Sequence, residues 1–96
     1  MQSQMSAIHY AAERGFDHVI EMLAEKGSDV NVRNGNGNTA LMLAAKAGYP
    51  KTVDVLYGLG ADLMAGNAGG QTAAHFAIQS DHVSTLIPTD YFLYMS

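Results

Sequence analysis

The apolar positions of this chain follow a helical period, pause, and start again. Between Thr39 and Ala47 the apolar residues Leu41, Ala44 and Ala45 fall on one face of a helix. Thr39 precedes this segment as a helix N-cap should, and Gly48 follows it where a left-handed residue ends a helix. Pro50 then suits the first turn of a second helix, where its missing N–H costs nothing. Val53, Val55 and Leu56 give that helix its buried side, and Gly60 ends it. Ala61–Ala65 predicts an extended segment, and Asn67-Ala68-Gly69-Gly70 supplies turn chemistry. The unit is therefore helix, turn, helix and projecting hairpin-like loop.

The same unit lies 33 positions earlier. Ala7, Ala11, Ala12, Gly15, Leu23, Gly27, Asp29, Asn34 and Gly37 register with Ala40, Ala44, Ala45, Gly48, Leu56, Gly60, Asp62, Asn67 and Gly70. Chance would give about two such identities, because common residues each make up roughly 7% of a chain. A third register runs through Thr72, Ala73, His75, Ala77 and Leu86, so Ser6, Thr39 and Thr72 are equivalent N-caps. In the first copy Asp29-Val30-Asn31-Val32 leads into Asn34-Gly35-Asn36-Gly37, and Asn-Gly is a strong hairpin signal. No such unit can bury its apolar faces alone, so the pattern predicts units stacked side by side.

These residues resemble the ankyrin repeat, whose 33-residue unit carries Thr-Pro-Leu-His-x-Ala at its first helix. That signature reads Ser6-Ala7-Ile8-His9-Tyr10-Ala11, Thr39-Ala40-Leu41-Met42-Leu43-Ala44 and Thr72-Ala73-Ala74-His75-Phe76-Ala77. Gly27-Ser28-Asp29-Val30-Asn31 and Gly60-Ala61-Asp62-Leu63 fit the later part of the unit. The resemblance covers Ser6 to about Leu86. It implies a mainly α ankyrin-repeat solenoid, with stacked helix-turn-helix units and projecting hairpin loops. The chain reads as a single domain over 1–96, with repeats at about 6–38, 39–71 and 72–88 and an apolar tail over 88–96.

Departures from the signature carry physical consequences. Its proline is alanine in all three copies, which leaves the unfolded chain less restricted. Met42 stands in place of the histidine, so the second repeat lacks the imidazole's hydrogen bonds, and adaptable packing compensates. The third copy departs furthest. Ala74 replaces Ile8 and Leu41, Asp81 replaces Gly15 and Gly48, and Pro88 breaks a second helix after roughly one turn.

Composition narrows the function. The 96 residues include five Lys or Arg and carry a net charge of −4, so the basic stripe of a nucleic-acid binder is missing. The sequence has no cysteine, which excludes disulfides and thiolate metal sites and fits an intracellular, cytoplasmic or nuclear, setting. Met1–Met5 is neither basic nor apolar, so no secretory signal is expected. No apolar run approaches the ~20 residues that cross a bilayer, so no membrane partner is expected. The four histidines lack i, i+4 spacing, Ser80-Asp81-His82 are adjacent as a hydrolase triad is not, and no Gly-Lys-Ser/Thr follows the glycines. The reading is therefore no enzyme, no metal and no cofactor.

The resemblance implies a partner protein bound by hairpin tips and the exposed side of the first helices. The outward positions are Glu13 and Arg14 in the first repeat, then Arg33, Gly35, Asn36, Asn38, Lys46 and Ala47 in the second. In the third they are Gly66, Ala68, Gly69, Gln71, Gln79 and Ser80. Arg33, Arg14 and Tyr49 are the expected anchors, since binding hot spots favour Trp, Tyr and Arg. Glu13, Asn36, Asn38, Lys46, Gln71 and Gln79 complete the candidate site. The alternative reading is a truncated or degenerate ankyrin fragment without an independent partner, or one that self-associates through its tail. Asn31, eight residues after Leu23, is spaced like asparagines hydroxylated in ankyrin repeats, against the plainer reading of a hairpin-base residue bonding backbone.

The tail Ile87–Ser96 is aromatic and apolar, where the end of a repeat stack is normally polar. Deleting 88–96 separates three roles for it. Lost thermal stability marks a cap on the third repeat, a lost dimer or partner marks a docking segment, and no change marks an accidental ending.

Overall fold

A computed structural model describes residues 6–79. Five helices follow in order: α1 (Ala7–Arg14), α2 (Asp17–Glu25), α3 (Ala40–Ala47), α4 (Pro50–Gly58) and α5 (Ala73–Gln79). No strand occurs among the described residues. Each helix pair folds back over a turn of two residues, Gly15-Phe16 and Gly48-Tyr49. The long loops 26–39 and 59–72 then carry the chain to the next unit. This is the mainly α solenoid that the 33-residue period implies.

The local signals account for the helix boundaries. Ser6 and Thr39 take extended backbone at the N-caps of α1 and α3, and the Thr39 hydroxyl oxygen accepts from the Met42 N–H at 3.4 Å. Gly48, with φ 81°, ends α3, and its N–H returns to the carbonyls of Ala44 and Ala45. Pro50 opens α4 in its first turn. One expectation is overturned. Ala61–Ala65 is not extended, because the Asp62 Oδ1 accepts the Met64 N–H at 2.9 Å and curls the chain into a turn. Asp29 does the same for Asn31, at 2.9 Å, in the first copy.

Helix α3 sits at the centre, packed against α1 on one side, α5 on the other and α4 behind. Its sequence pattern shows one apolar face, yet all six residues from Ala40 to Ala45 are buried. Neighbours on three sides leave it no solvent face over that stretch. Alanine at Ala40, Ala44 and Ala45 permits such close approach, and Leu41 and Met42 fill the remaining space. Behind, Ile20, Val53 and Leu56 join the same core. Val55, expected in it, is only half-buried, while the buried Thr52 of α4 donates its hydroxyl to the Asp17 carboxylate of α2.

His9 ties the first repeat to the second. It is fully buried, and its Nε2 lies 3.0 Å from both the Val32 and the Asn38 carbonyl oxygens. Carbonyls only accept, so Nε2 carries the hydrogen and Nδ1 accepts from the Ser6 N–H at 3.1 Å. One neutral ring thereby joins the start of α1 to both sides of the following hairpin. Met42 occupies the equivalent place in α3 without those bonds. It is buried, and its sulfur accepts only from the Thr39 N–H, at 3.4 Å.

The third repeat forms its first helix, with Ala74 half-buried where Ile8 and Leu41 are buried. Ser80, Asp81, Pro88 and the apolar tail lie outside the described residues. Replacing His9 by Ala strands two half-buried carbonyls and opens a cavity, so His9→Ala lowers unfolding free energy by about 3 kcal/mol. His9→Met keeps the volume and loses less. Urea denaturation of the two variants checks that order.

Candidate protein-binding surface

The two hairpin loops share one construction. In the first, Asn34 Oδ1 accepts from the N–H groups of Asn36 (2.9 Å) and Asn38 (3.0 Å). In the second, Asn67 Oδ1 accepts from those of Gly69 and Gln71, both at 2.9 Å. Backbone bonds close each loop, Asn34 N–H to Asn38 O and Asn67 N–H to Gln71 O. The asparagine amide thus does for the loop what a strand partner does in a sheet, and both tips are held rigid before any partner arrives.

The loops also hold each other. Asn67 Nδ2 donates to Asn38 Oδ1 at 2.8 Å. The Arg33 guanidinium donates to the carbonyls of Gly37, at 3.0 Å, and of Gly66 in the next loop. Gly37 makes this approach feasible. Its φ is 81°, and a Cβ on it would stand 2.8 Å from the Ala68 nitrogen. Below the tips, Asn31 accepts from the Asp62 N–H at 2.8 Å and donates to the Gly60 carbonyl at 3.1 Å. Its amide therefore joins repeats through backbone, as the plainer reading of that residue expects, although the backbone belongs to the next repeat.

A second cluster lies one helix length away, about 12 Å for eight residues. Glu13 and Arg14 at the end of α1 face Leu43, Lys46 and Ala47 of α3 across a shallow groove of about 440 Å³. Glu13 and Arg14 form an exposed ion pair at 3.7 Å, and the Arg14 guanidinium sits over the Tyr10 ring, 5.6 Å from its centroid. No charge of α3 answers Lys46 among the described residues.

The expected site therefore divides in two. Glu13, Arg14 and Lys46 come together at the groove. Arg33, Asn36, Asn38 and Gln71 come together at the loops, but only Asn36 and Arg33 are exposed there. Arg33 spans two loops, Asn38 is half-buried under Asn67, and Gln71 is half-buried with its Oε1 3.3 Å from Asn67 Nδ2. Tyr49 joins neither cluster. It opens α4, and its ring lies 3.3 Å from where a Cβ on Gly15 would be. Gln79 is the last residue of α5. The sequence reading missed Leu43 at the groove, and Tyr10 under the Arg14 guanidinium, although their shared register with Phe76 was visible.

Glu21, Glu25 and Asp29 border a larger depression of about 800 Å³ on the α2 side. No group of three His, Cys, Asp or Glu among the described residues is placed to hold a metal. No helix among them is long and apolar enough to cross a membrane.

Comparison with known proteins settles the family. A profile described as ankyrin repeats, in three copies, matches residues 8–91. The chain belongs to the ankyrin-repeat family. Ankyrin repeats are generally protein-interaction modules, and the fold is typically non-catalytic. The probable E3 ubiquitin-protein ligase XBOS33 of Oryza sativa subsp. japonica is 54% identical over 37 residues, which is 38% of this chain and 7% of that protein. The E3 ubiquitin-protein ligase XBAT32 of Arabidopsis thaliana is 46% identical over 37 residues, again 38% of this chain and 7% of the relative. The chain thus matches a small part of each relative, little more than one ankyrin repeat.

Replacing Gly37 by Ala forces a side chain into left-handed backbone and against the next loop. Gly37→Ala costs about 2 kcal/mol in thermal unfolding. In Asn67→Ala, the Gly69 and Gln71 amides exchange with deuterium faster than in the wild type while those of α1 do not change.

Proposed function

We propose that this chain is a non-catalytic protein-binding module, a single ankyrin domain with repeats at about 6–38, 39–71 and 72–88. Its partner, another protein, lies along the hairpin tips and the groove between the first helices. The observation that carries this reading is that groove. Arg14 and Lys46 present two exposed cations in a groove that Leu43 and Ala47 also line. A partner segment with a carboxylate beside an apolar side chain matches it, and Glu13 keeps Arg14 pointed across the Tyr10 ring.

The candidate residues take different parts in this reading. Glu13, Arg14, Lys46 and Asn36 touch the partner. Arg33, Asn38 and Gln71 hold the tips in shape, while Tyr49, packed on Gly15, and Gln79, at the end of α5, lie outside the groove's lining. Rigid loops favour affinity because little ordering remains to be done on binding. The similarity to ubiquitin ligases spans about one repeat, so it supports the scaffold and not ligase chemistry. An intracellular setting, cytoplasmic or nuclear, suits a chain without cysteine.

The double variant Arg14→Glu, Lys46→Glu reverses both cations without disturbing a buried contact. In affinity purification from the source cells, it loses the proteins that the wild type retains, while its circular dichroism spectrum stays helical. Undiminished recovery of the same proteins contradicts the groove as the binding face.

A further inference from the structure

The three first helices do not bury the same faces. Ala40 and Leu43 of α3 are buried, as are Ala73 and Phe76 of α5, by the repeat that precedes each of them. Their equivalents in α1, Ala7 and Tyr10, are exposed, Tyr10 by 48%. The opposite face behaves in the opposite way. His9 and Ala12 of α1, and Met42 and Ala45 of α3, are buried. Their equivalents in α5, His75 and Ile78, are exposed, Ile78 by 61%. His75 keeps the local geometry of His9, accepting the Thr72 N–H on Nδ1 at 2.9 Å, so the two faces are comparable.

Within the chain the trailing face of one first helix mates with the leading face of the next, at α1–α3 and again at α3–α5. Among the described first helices, one leading face, on α1, and one trailing face, on α5, are left unmatched. We propose that they meet between molecules. The leading face of one copy, Ala7 and Tyr10 on α1, docks on the trailing face of another, Ala74, His75 and Ile78 on α5.

Three observations favour a second copy as the occupant. The mating surface already exists twice in this chain, so the intermolecular contact continues an established interface. The side-chain volumes shift in step, with Ile78 larger than Ala12 and Ala45, and Ala74 smaller than Ile8 and Leu41. The residues named on both faces carry no carboxylate or ammonium group, so no like charges oppose the contact. The contact is heterologous, so it extends rather than closes. It leaves the hairpin tips, Lys46 and Ala47 free and meets the groove's lining only at Arg14, whose guanidinium lies over the Tyr10 ring.

Sedimentation velocity on the full chain tests this. The wild type shows a mean mass that rises above 10.2 kDa with concentration and does not level off at a dimer. Tyr10→Glu and Ile78→Glu each stay at 10.2 kDa alone. Mixed, they form a species of twice that mass and nothing larger, because each supplies the face the other lacks. An unfolded variant could not do this, so the mixture controls for folding. Tyr10→Gln and Ile78→Gln follow the same pattern, each weakening association at least about tenfold. A monomeric wild type, a mixture that stays monomeric, or either Glu variant associating alone as the wild type does would each overturn the proposal.

Discussion

The burial of α3 between α1 and α5 is the constraint on which the described structure rests. A helix of eight residues is too short to be stable alone. It persists here because Ala40–Ala45 lose contact with water on every side. That requires small residues where neighbouring helices approach and larger ones, Leu41 and Met42, where space remains. It also requires both neighbours, so the stability of each repeat belongs to the stack and not to the repeat.

Polar groups set the register in which the stack forms. Apolar faces alone would tolerate a slide of one helix past another. The His9 ring prevents this by fixing the start of α1 against the Val32 and Asn38 carbonyls, and Asn31 by fixing the loop base against Gly60 and Asp62. Asn34 and Asn67 then shape the loops, and Arg33 links one to the next. Each of these groups answers backbone that has no helical partner of its own. The rigidity of the exposed tips follows from the same bonds, so the surface offered to a partner is a by-product of how the stack is registered.

Much of the fold is legible in the sequence, because period, caps and glycines are local signals. Thr39, Gly48 and Pro50 bound their helices where the pattern puts them. The failures are of one kind. Leu41, Ala44 and Ala45 read as one buried face, since periodicity cannot reveal a third neighbour. Ala61–Ala65 read as extended, since the turn depends on the Asp62 side chain reaching Met64 N–H. At the candidate site, Arg33 and Tyr49 read as anchors by residue type alone. Only the fold shows Arg33 spanning two loops and Tyr49 lying on Gly15. Of the groove's lining, Glu13, Arg14, Lys46 and Ala47 were legible as outward positions, and only Leu43 escaped notice, because it looks like any core residue in sequence.

Native-state hydrogen exchange on the full chain measures the central claim most directly. If α3 is held only by its neighbours on both sides, the amides of Leu43–Ala47 exchange solely through global unfolding, with the free energy found by urea denaturation. Amides of α5 exchange at lower free energy, since α5 has a repeat on one side among the described residues. Exchange in α3 at lower free energy than in α1 would contradict the account, because the first repeat would then hold together without the helix that is taken to support it.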